Sequence, residues 1–265
     1  MRLCSIASGS SGNCIYVGSD TTQLHEEVGI SGKRIEEGLN KLSLSGSDIQ
    51  GILITHEHSD HISGLGVISR KYNIPIYASY GTITAIKEAE GSKKIDESLF
   101  FPIDADKKFI LGDMYVHASR ISHDAKEPFA YRFSDGNKSA GIMTDMGTYD
   151  DYIVESFQEM DAVLIEANHD IRMLQVGHYP YYLKQRILGN KGHLSNESSG
   201  RLLSRLLNDK MQHVLLGHLS QENNMAELAY ETVRLEIENA DNAYSANDFD
   251  IKVADRGQLS EIINL

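Results

Sequence analysis

The sequence predicts an α/β fold in which two sheets pack together with helices outside. Two observations carry that prediction. Strand-like apolar runs and helical patterns alternate in two separate parts of the chain, and a stretch dominated by short β-like runs lies between them. A third observation concerns function: the densest cluster of metal-binding side-chain types falls at the exit of one strand-like run.

In chain order, residues 2–7 and 14–18 read as strands joined by the Gly/Ser loop of residues 8–13. A core strand is due at residues 23–29, but His25, Glu26 and Glu27 are costly to bury and argue against one there. Residues 35–42 have helical spacing, and the apolar run at 51–55 reads as a buried strand. Residues 61–72 look helical and stop at Asn73, before a short strand at 74–77 and a helix at 82–90. Short β-like runs dominate residues 99–145, including 115–117 and 140–144. Ala162-Val163-Leu164-Ile165 is a buried-strand pattern that leads into Glu166-Ala167-Asn168-His169-Asp170. A strongly periodic helix at 198–207, a strand at 213–217, a helix at 225–238 and a strand at 250–253 complete the chain.

A chain of 265 residues can bury a sizeable core. Its formal net charge of −13 argues against a protein that coats nucleic acid by bulk electrostatics. It leaves room for an enzyme that grips phosphates locally. Small basic clusters at Lys33-Arg34, Arg70-Lys71, Lys93-Lys94, and Lys184 with Arg186 and Lys191 read as solvated surface. Cys4 and Cys14 suggest neither a disulfide framework nor a zinc knuckle. No signal-type segment opens the sequence and no apolar run is long enough to span a bilayer. The expectation is a cytoplasmic protein with no membrane association and no obligate protein partner.

The run Thr55-His56-Glu57-His58-Ser59-Asp60-His61 is the most informative segment. Imidazoles and a carboxylate so closely spaced are the ligands a borderline divalent metal takes. His56, His58 and Asp60 alternate, so an extended exit from the strand would point them the same way, with His61 opening a helix. One ion cannot easily use all four, so the spacing suggests two adjacent ions. His123, Asp145 and His218 each stand at the end of a strand-like run, where a rigid sheet positions functional groups. With the first motif they would supply two coordination sets.

The order HxHxDH, then His, then Asp before Met-Gly, then Gly-His, resembles the metallo-β-lactamase fold superfamily. Residues 3–14, Gly29-Ile30-Ser31-Gly32-Lys33-Arg34-Ile35, Leu183-Lys184-Gln185-Arg186-Ile187 and Gly192-His193-Leu194-Ser195-Asn196-Glu197 resemble its YycJ/WalJ branch. That resemblance implies a four-layer αββα sandwich, and 5′-to-3′ exonuclease activity on double-stranded DNA. It assigns His56, His58 and His123 to one metal, Asp60, His61 and His218 to a second, and Asp145 to a bridge. A shared carboxylate holds two dications about 3.5–4 Å apart, the separation of two-metal phosphoryl enzymes. Zinc or manganese fits the ligand types, as does iron. A metal-bridging hydroxide would attack phosphorus, with catalytic roles for His193 as general acid and for Asp60.

The resemblance also points to a phosphate-binding loop made of Ser8, Ser10, Ser11 and Asn13, with Ser195 nearby, and to supporting roles for Glu27 and His169. Glu27 stands where the branch carries an aspartate. The stretch between Asp145 and His218 is too short for the β-CASP domain of ribonuclease J type enzymes, so residues 1–265 are expected to form a single hydrolase domain acting on duplex DNA ends. Two other readings remain open at this point. The chain could hydrolyse another ester class (RNA, a cyclic phosphodiester, a thioester or a lactone). It could also be a metal-binding partner protein with weak catalysis, compromised by the charged 23–28 segment.

Overall fold

The computed structural model describes residues 1–89 and 95–265. The Lys93-Lys94 cluster and the expected helix end at Glu90 lie outside the described residues. The chain divides into two compact units: residues 1–120, 125–137 and 255–265, and residues 121–124 with 138–254.

The first unit opens with β1 (Arg2–Ala7), β2 (Cys14–Gly18) and β3 (Gln23–Glu26), followed by α1 (Gly32–Lys41) and β4 (Gly51–Leu53). Then come α2 (Ser59–Ile62), α3 (Leu65–Tyr72), β5 (Ile76–Ala78), α4 (Tyr80–Glu88), β6 (Phe100–Pro102), β7 (Lys108–Leu111), β8 (Met114–Arg120) and β9 (Phe129–Ser134). The second unit holds β10 (Ser139–Met143), α5 (Asp151–Ser156), β11 (Ala162–Glu166), α6 (Ile171–Val176) and α7 (Tyr181–Leu188). It continues with α8 (Asn196–Leu206), β12 (His213–Gly217), α9 (Ala226–Asn239) and β13 (Asp250–Val253), after which β14 (Ile263–Asn264) returns to the first unit.

In the first unit the sheet order is β14-β1-β2-β3-β4-β5-β6, antiparallel at the β1–β2–β3 end and parallel from β3 to β6. β7, β8 and β9 pair antiparallel. The ridge Ile35 and Leu39 of α1 is fully buried and joins Cys4, Ile6, Tyr16, Ile52 and Ile76 in one core. Ser31 caps α1 by accepting from the Arg34 amide.

The charged 23–26 segment is a buried central strand, a correction to the sequence expectation. It pairs Tyr16 with His25 and Ile15 with Glu26. The burial is tolerated because His25 stays neutral: desolvation pushes its imidazole down to about 4, while the Ile15 carbonyl 3.4 Å away pulls the other way. The expected helix at 61–72 is two helices, because Gly64 lies in a turn whose amide bonds the Val28 carbonyl.

In the second unit β10, β11, β12 and β13 form a parallel sheet, with Ala162 opposite both Ala140 and His213. The apolar stripe Leu202, Leu203 and Leu206 of α8 and Ala229, Val233 and Ile237 of α9 are buried. The sequence reading did not find α5, α6 or α7, all short and weakly periodic.

Candidate metal centre

Parallel strands gather functional groups at their carboxyl ends, and both units do so here. In the first unit Glu27 follows β3, and Thr55 and His56 come shortly after β4. His58 is the residue before α2, so Asp60 and His61 sit on a helical turn and not on an extended exit, which corrects the alternation expected for Asp60. His56 and His61 are fully buried. His56 Nε2 and His58 Nδ1 face each other at 3.0 Å. Two imidazole nitrogens on one tetrahedral ion lie about 3.3–3.4 Å apart, given bonds of about 2.0–2.1 Å, so this pair fits a shared ion.

The other ring nitrogens are already engaged. Thr55 Oγ1 lies 2.8 Å from His56 Nδ1. Glu27 Oε2 lies 3.3 Å from His61 Nδ1, and Glu27 Oε1 accepts from the Thr55 amide at 2.7 Å. Burial raises the Glu27 carboxyl above its usual range, against the pull of His61 and Thr55. His61 Nε2 lies 3.3 Å from Asp60 Oδ2. Glu27 thus lies between the Thr55 amide and the His61 ring.

The 8–13 loop is a buttress in this structure. The amides of Ser8, Gly9, Gly12 and Asn13 bond Asp255 O, Asn13 Oδ1, Gly9 O and Asp60 O. Asn13 Nδ2 lies 3.4 Å from both the Asp60 carbonyl and His61 Nε2. Asn13 holds the 60–61 turn through its amide and side chain, and Ser10 and Ser11 are exposed. Gly29 is packed against the same turn: a Cβ there would fall 1.6 Å from the Asp60 carbonyl oxygen. A cavity of about 340 Å³ opens along α2 and α3, lined in part by Glu57, Ser59, Ser63 and Arg70.

In the second unit Asp145 stands two residues past β10, Glu166 ends β11, and His218 follows β12 directly. Donor atoms of Asp145, Glu166, His193 and His218 all lie within 4.8 Å of one another. Asp145 Oδ1 is 3.5 Å from His193 Nδ1, 3.6 Å from His218 Nδ1 and 3.7 Å from His123 Nε2. Glu166 is a member of this cluster that the sequence does not single out. Its Oε1 lies 2.7 Å from His193 Nδ1 and 3.0 Å from His218 Nδ1, while Oε2 accepts from the Met146 and Leu194 amides. Burial alone would raise its carboxyl, but the His193 and His218 imidazoles overcome this and bring it down to about 2. The signal was a carboxylate closing the fully apolar run 162–165.

His123 gives Nδ1–H to the Gly192 carbonyl at 3.1 Å, and its Nε2 lies 3.4 Å from Asp124 Oδ1 and 3.7 Å from Asp145 Oδ1. Gly147 permits the close packing of this loop, since a Cβ would come within 2.4 Å of the Asn190 and Gly192 backbones. Ser195 caps α8 by accepting from the Ser198 amide. His169 is buried beside this strand end, with its ring pushed down to about 4 by desolvation. Its donor atoms are not in the cluster, and its carbonyl accepts from the Asn196 amide.

Glu27, Asp145 and His218 share a left-handed backbone, with φ of 64°, 59° and 55°. Such φ values are uncommon outside glycine and concentrate at functional sites. In each unit the donor chemistry suits a divalent cation: imidazoles fixed by one nitrogen and offering the other, beside carboxylates.

A family model described as the beta-lactamase superfamily domain matches residues 36–218. The exodeoxyribonuclease YycJ of Bacillus anthracis is 40% identical over 233 residues, covering 88% of each chain. The exodeoxyribonuclease WalJ of Streptococcus pneumoniae is 41% identical over 236 residues, covering 89% of this chain and 88% of its own. Among solved structures, the metallo-beta-lactamase fold protein YhfI of Bacillus subtilis aligns with a TM-score of 0.70 at 14% identity over 98% of both chains. The zinc-bound PqqB of Methylobacterium extorquens aligns with a TM-score of 0.72 at 13% identity over 100% of both.

Proposed function

Because this chain belongs to the beta-lactamase superfamily, and within it to the group of the YycJ and WalJ exodeoxyribonucleases, we propose that it is a two-metal phosphodiesterase degrading duplex DNA from the 5′ end. The enzyme is a metal-dependent hydrolase with the α/β sandwich fold of that superfamily. In this reading residues 1–265 act as one hydrolase domain. His56, His58 and His123 hold one ion, Asp60, His61 and His218 hold the other, and Asp145 is shared. Zinc or manganese fits these donors. When bound, the ions supply Lewis-acid polarisation of the phosphate and activation of a water nucleophile.

The observation that carries the reading is the set of engaged second nitrogens. Thr55, Glu27, Gly192 and Glu166 lie 2.8, 3.3, 3.1 and 3.0 Å from Nδ1 of His56, His61, His123 and His218, which orients the four rings. His193 differs from these four. Its ring is partly exposed, with 17% of its side-chain surface accessible, and Glu166 fixes its Nδ1. Its Nε2 is left to deliver a proton to the leaving 3′ oxygen. The cavity beside Ser59, Ser63 and Arg70 is the candidate receptor for the terminal nucleotide or its phosphate.

The partner-protein reading depended on the 23–28 segment being damaged, and within it residues 23–26 are a paired, buried strand, followed by buried Glu27 and Val28. Two free buried cysteines suit the reducing cytoplasm where such an enzyme would act. No helix among the described residues is long and apolar enough to cross a membrane. The test is hydrolysis of a phosphodiester before and after chelation, followed by manganese or zinc. Activity that is lost and restored with two ions per chain supports the proposal, and activity indifferent to chelation overturns it.

A further inference from the structure

Asp and Glu account for 38 of the 265 residues, yet none lies between Asp170 and Glu197. That stretch carries Arg172, Lys184, Arg186 and Lys191 in a chain whose net charge is −13. It folds as the hairpin of α6 and α7 and displays Tyr181 and Tyr182 at 77% and 74% exposure. Rings so open are unusual where burial is available, and Pro180 at the helix start restricts the backbone that presents them.

The basic residues divide into two pairs. Lys184 donates to the Gln175 carbonyl at 2.7 Å and ties the two helices together, while Arg186 grips Asp124 through both carboxylate oxygens. Arg172 and Lys191 are exposed and face solvent. The hairpin also runs straight into the catalytic loop. The His193 amide bonds the Ile187 carbonyl at 3.0 Å, and the Asp124 amide bonds the Lys191 carbonyl at 3.1 Å. Backbone hydrogen bonds thus join the hairpin to the loops that carry His193 and His123.

We propose that the α6–α7 hairpin receives the nucleic-acid strand, with bases of an unpaired end stacking on Tyr181 and Tyr182 and backbone phosphates facing Arg172 and Lys191. The proposal rests on the phosphodiesterase reading and names how that site holds its polymer. Positive charge interleaved with open aromatic rings is the chemistry that binds single strands without reading sequence. An exonuclease working on a duplex end needs such a platform for the bases it has unpaired.

The experiment measures anisotropy of the manganese-loaded protein with a fluorescent duplex bearing a phosphorothioate single-stranded 5′ extension, at several salt concentrations. The Tyr181→Ala/Tyr182→Ala protein is expected to bind about tenfold or more weakly, and Tyr181→Phe/Tyr182→Phe to bind as the parent does. Arg172→Ala/Lys191→Ala is expected to flatten the log–log salt dependence by about one to two. Turnover of bis(p-nitrophenyl) phosphate, too small to reach the hairpin, should match the parent in all three. Unchanged affinity in the Tyr-to-Ala protein, or a loss reproduced by the Phe protein, overturns the proposal. Failure of the parent to turn over the small diester would strike the hydrolase reading, and the binding comparison does not depend on it.

Discussion

Glu166 Oε1 lies 2.7 Å from His193 Nδ1, and the same oxygen lies 3.0 Å from His218 Nδ1. One buried carboxylate at the end of β11 thus fixes both a proposed metal ligand and the proposed general acid. Its second oxygen is held by the Met146 and Leu194 amides, so the carboxylate cannot turn. This makes Glu166 a positioning residue.

Glu166→Gln should therefore lower kcat by about 10–100-fold with a small change in KM, because supporting partners of metal ligands typically matter by that much. Metal content should fall as well, since His218 loses its anchor. Steady-state kinetics alongside elemental analysis checks this, and normal kcat with normal metal content would remove Glu166 from the mechanism.

His193→Ala should keep both ions and lose about 10²–10⁴ in kcat on DNA, the usual range for a general acid. The loss should be much smaller on a p-nitrophenyl ester, whose leaving group needs little protonation. An equal loss on both substrates would mean that His193 does not deliver the proton.

His58→Ala and Asp145→Ala should each abolish hydrolysis while circular dichroism and thermal unfolding show a folded protein. Full activity in either contradicts the two-ion assignment.

Gly29→Ala should destabilise the HxHxDH turn, because the added Cβ would overlap the Asp60 carbonyl at 1.6 Å. Overpacking of this kind costs about 1–3 kcal/mol or more. A lowered Tm together with reduced metal affinity is expected, whereas an unchanged Tm would mean that the turn can move aside freely.

Stability should depend on pH through His25. Its folded-state pKa is about 4, lowered by burial from an ordinary 6.5. Below pH 6.5 the unfolded chain takes up a proton that the folded chain refuses, so stability falls as pH drops from about 6.5 toward 4. The full effect is about 3 kcal/mol. His169 acts in the same direction over the same window. Urea unfolding at pH 7 and at pH 4.5 should show a smaller acid loss for His25→Leu than for the parent. Identical losses would place the acid sensitivity elsewhere.

Much of this site was readable from the chain because its residue types are rare together and stand at strand ends. His56, His58, His123, Asp145 and His218 stand out as candidates from that pattern and from the family resemblance. Glu166 was not, since a single carboxylate at the end of an apolar run looks like an ordinary strand terminus until the fold sets two imidazoles beside it. The 23–26 strand was misjudged for the opposite reason: its charges look unburiable in isolation, and only pairing shows His25 neutral and the adjacent Glu27 bonded to Thr55 and His61. The 8–13 loop and Ser195 are hard to read from sequence because Ser, Gly and Asn serve turns, caps and anion sites alike. The small helices α5, α6 and α7 escaped because six to eight residues give too short a period to recognise.

The most direct test uses a duplex with a 5′ phosphate and a 3′ label, incubated with manganese and either the parent protein or His58→Ala. Progressive shortening from the 5′ end by the parent alone is the predicted result. An intact duplex with two ions bound per chain, or equal shortening by both proteins, would contradict the proposed exonuclease.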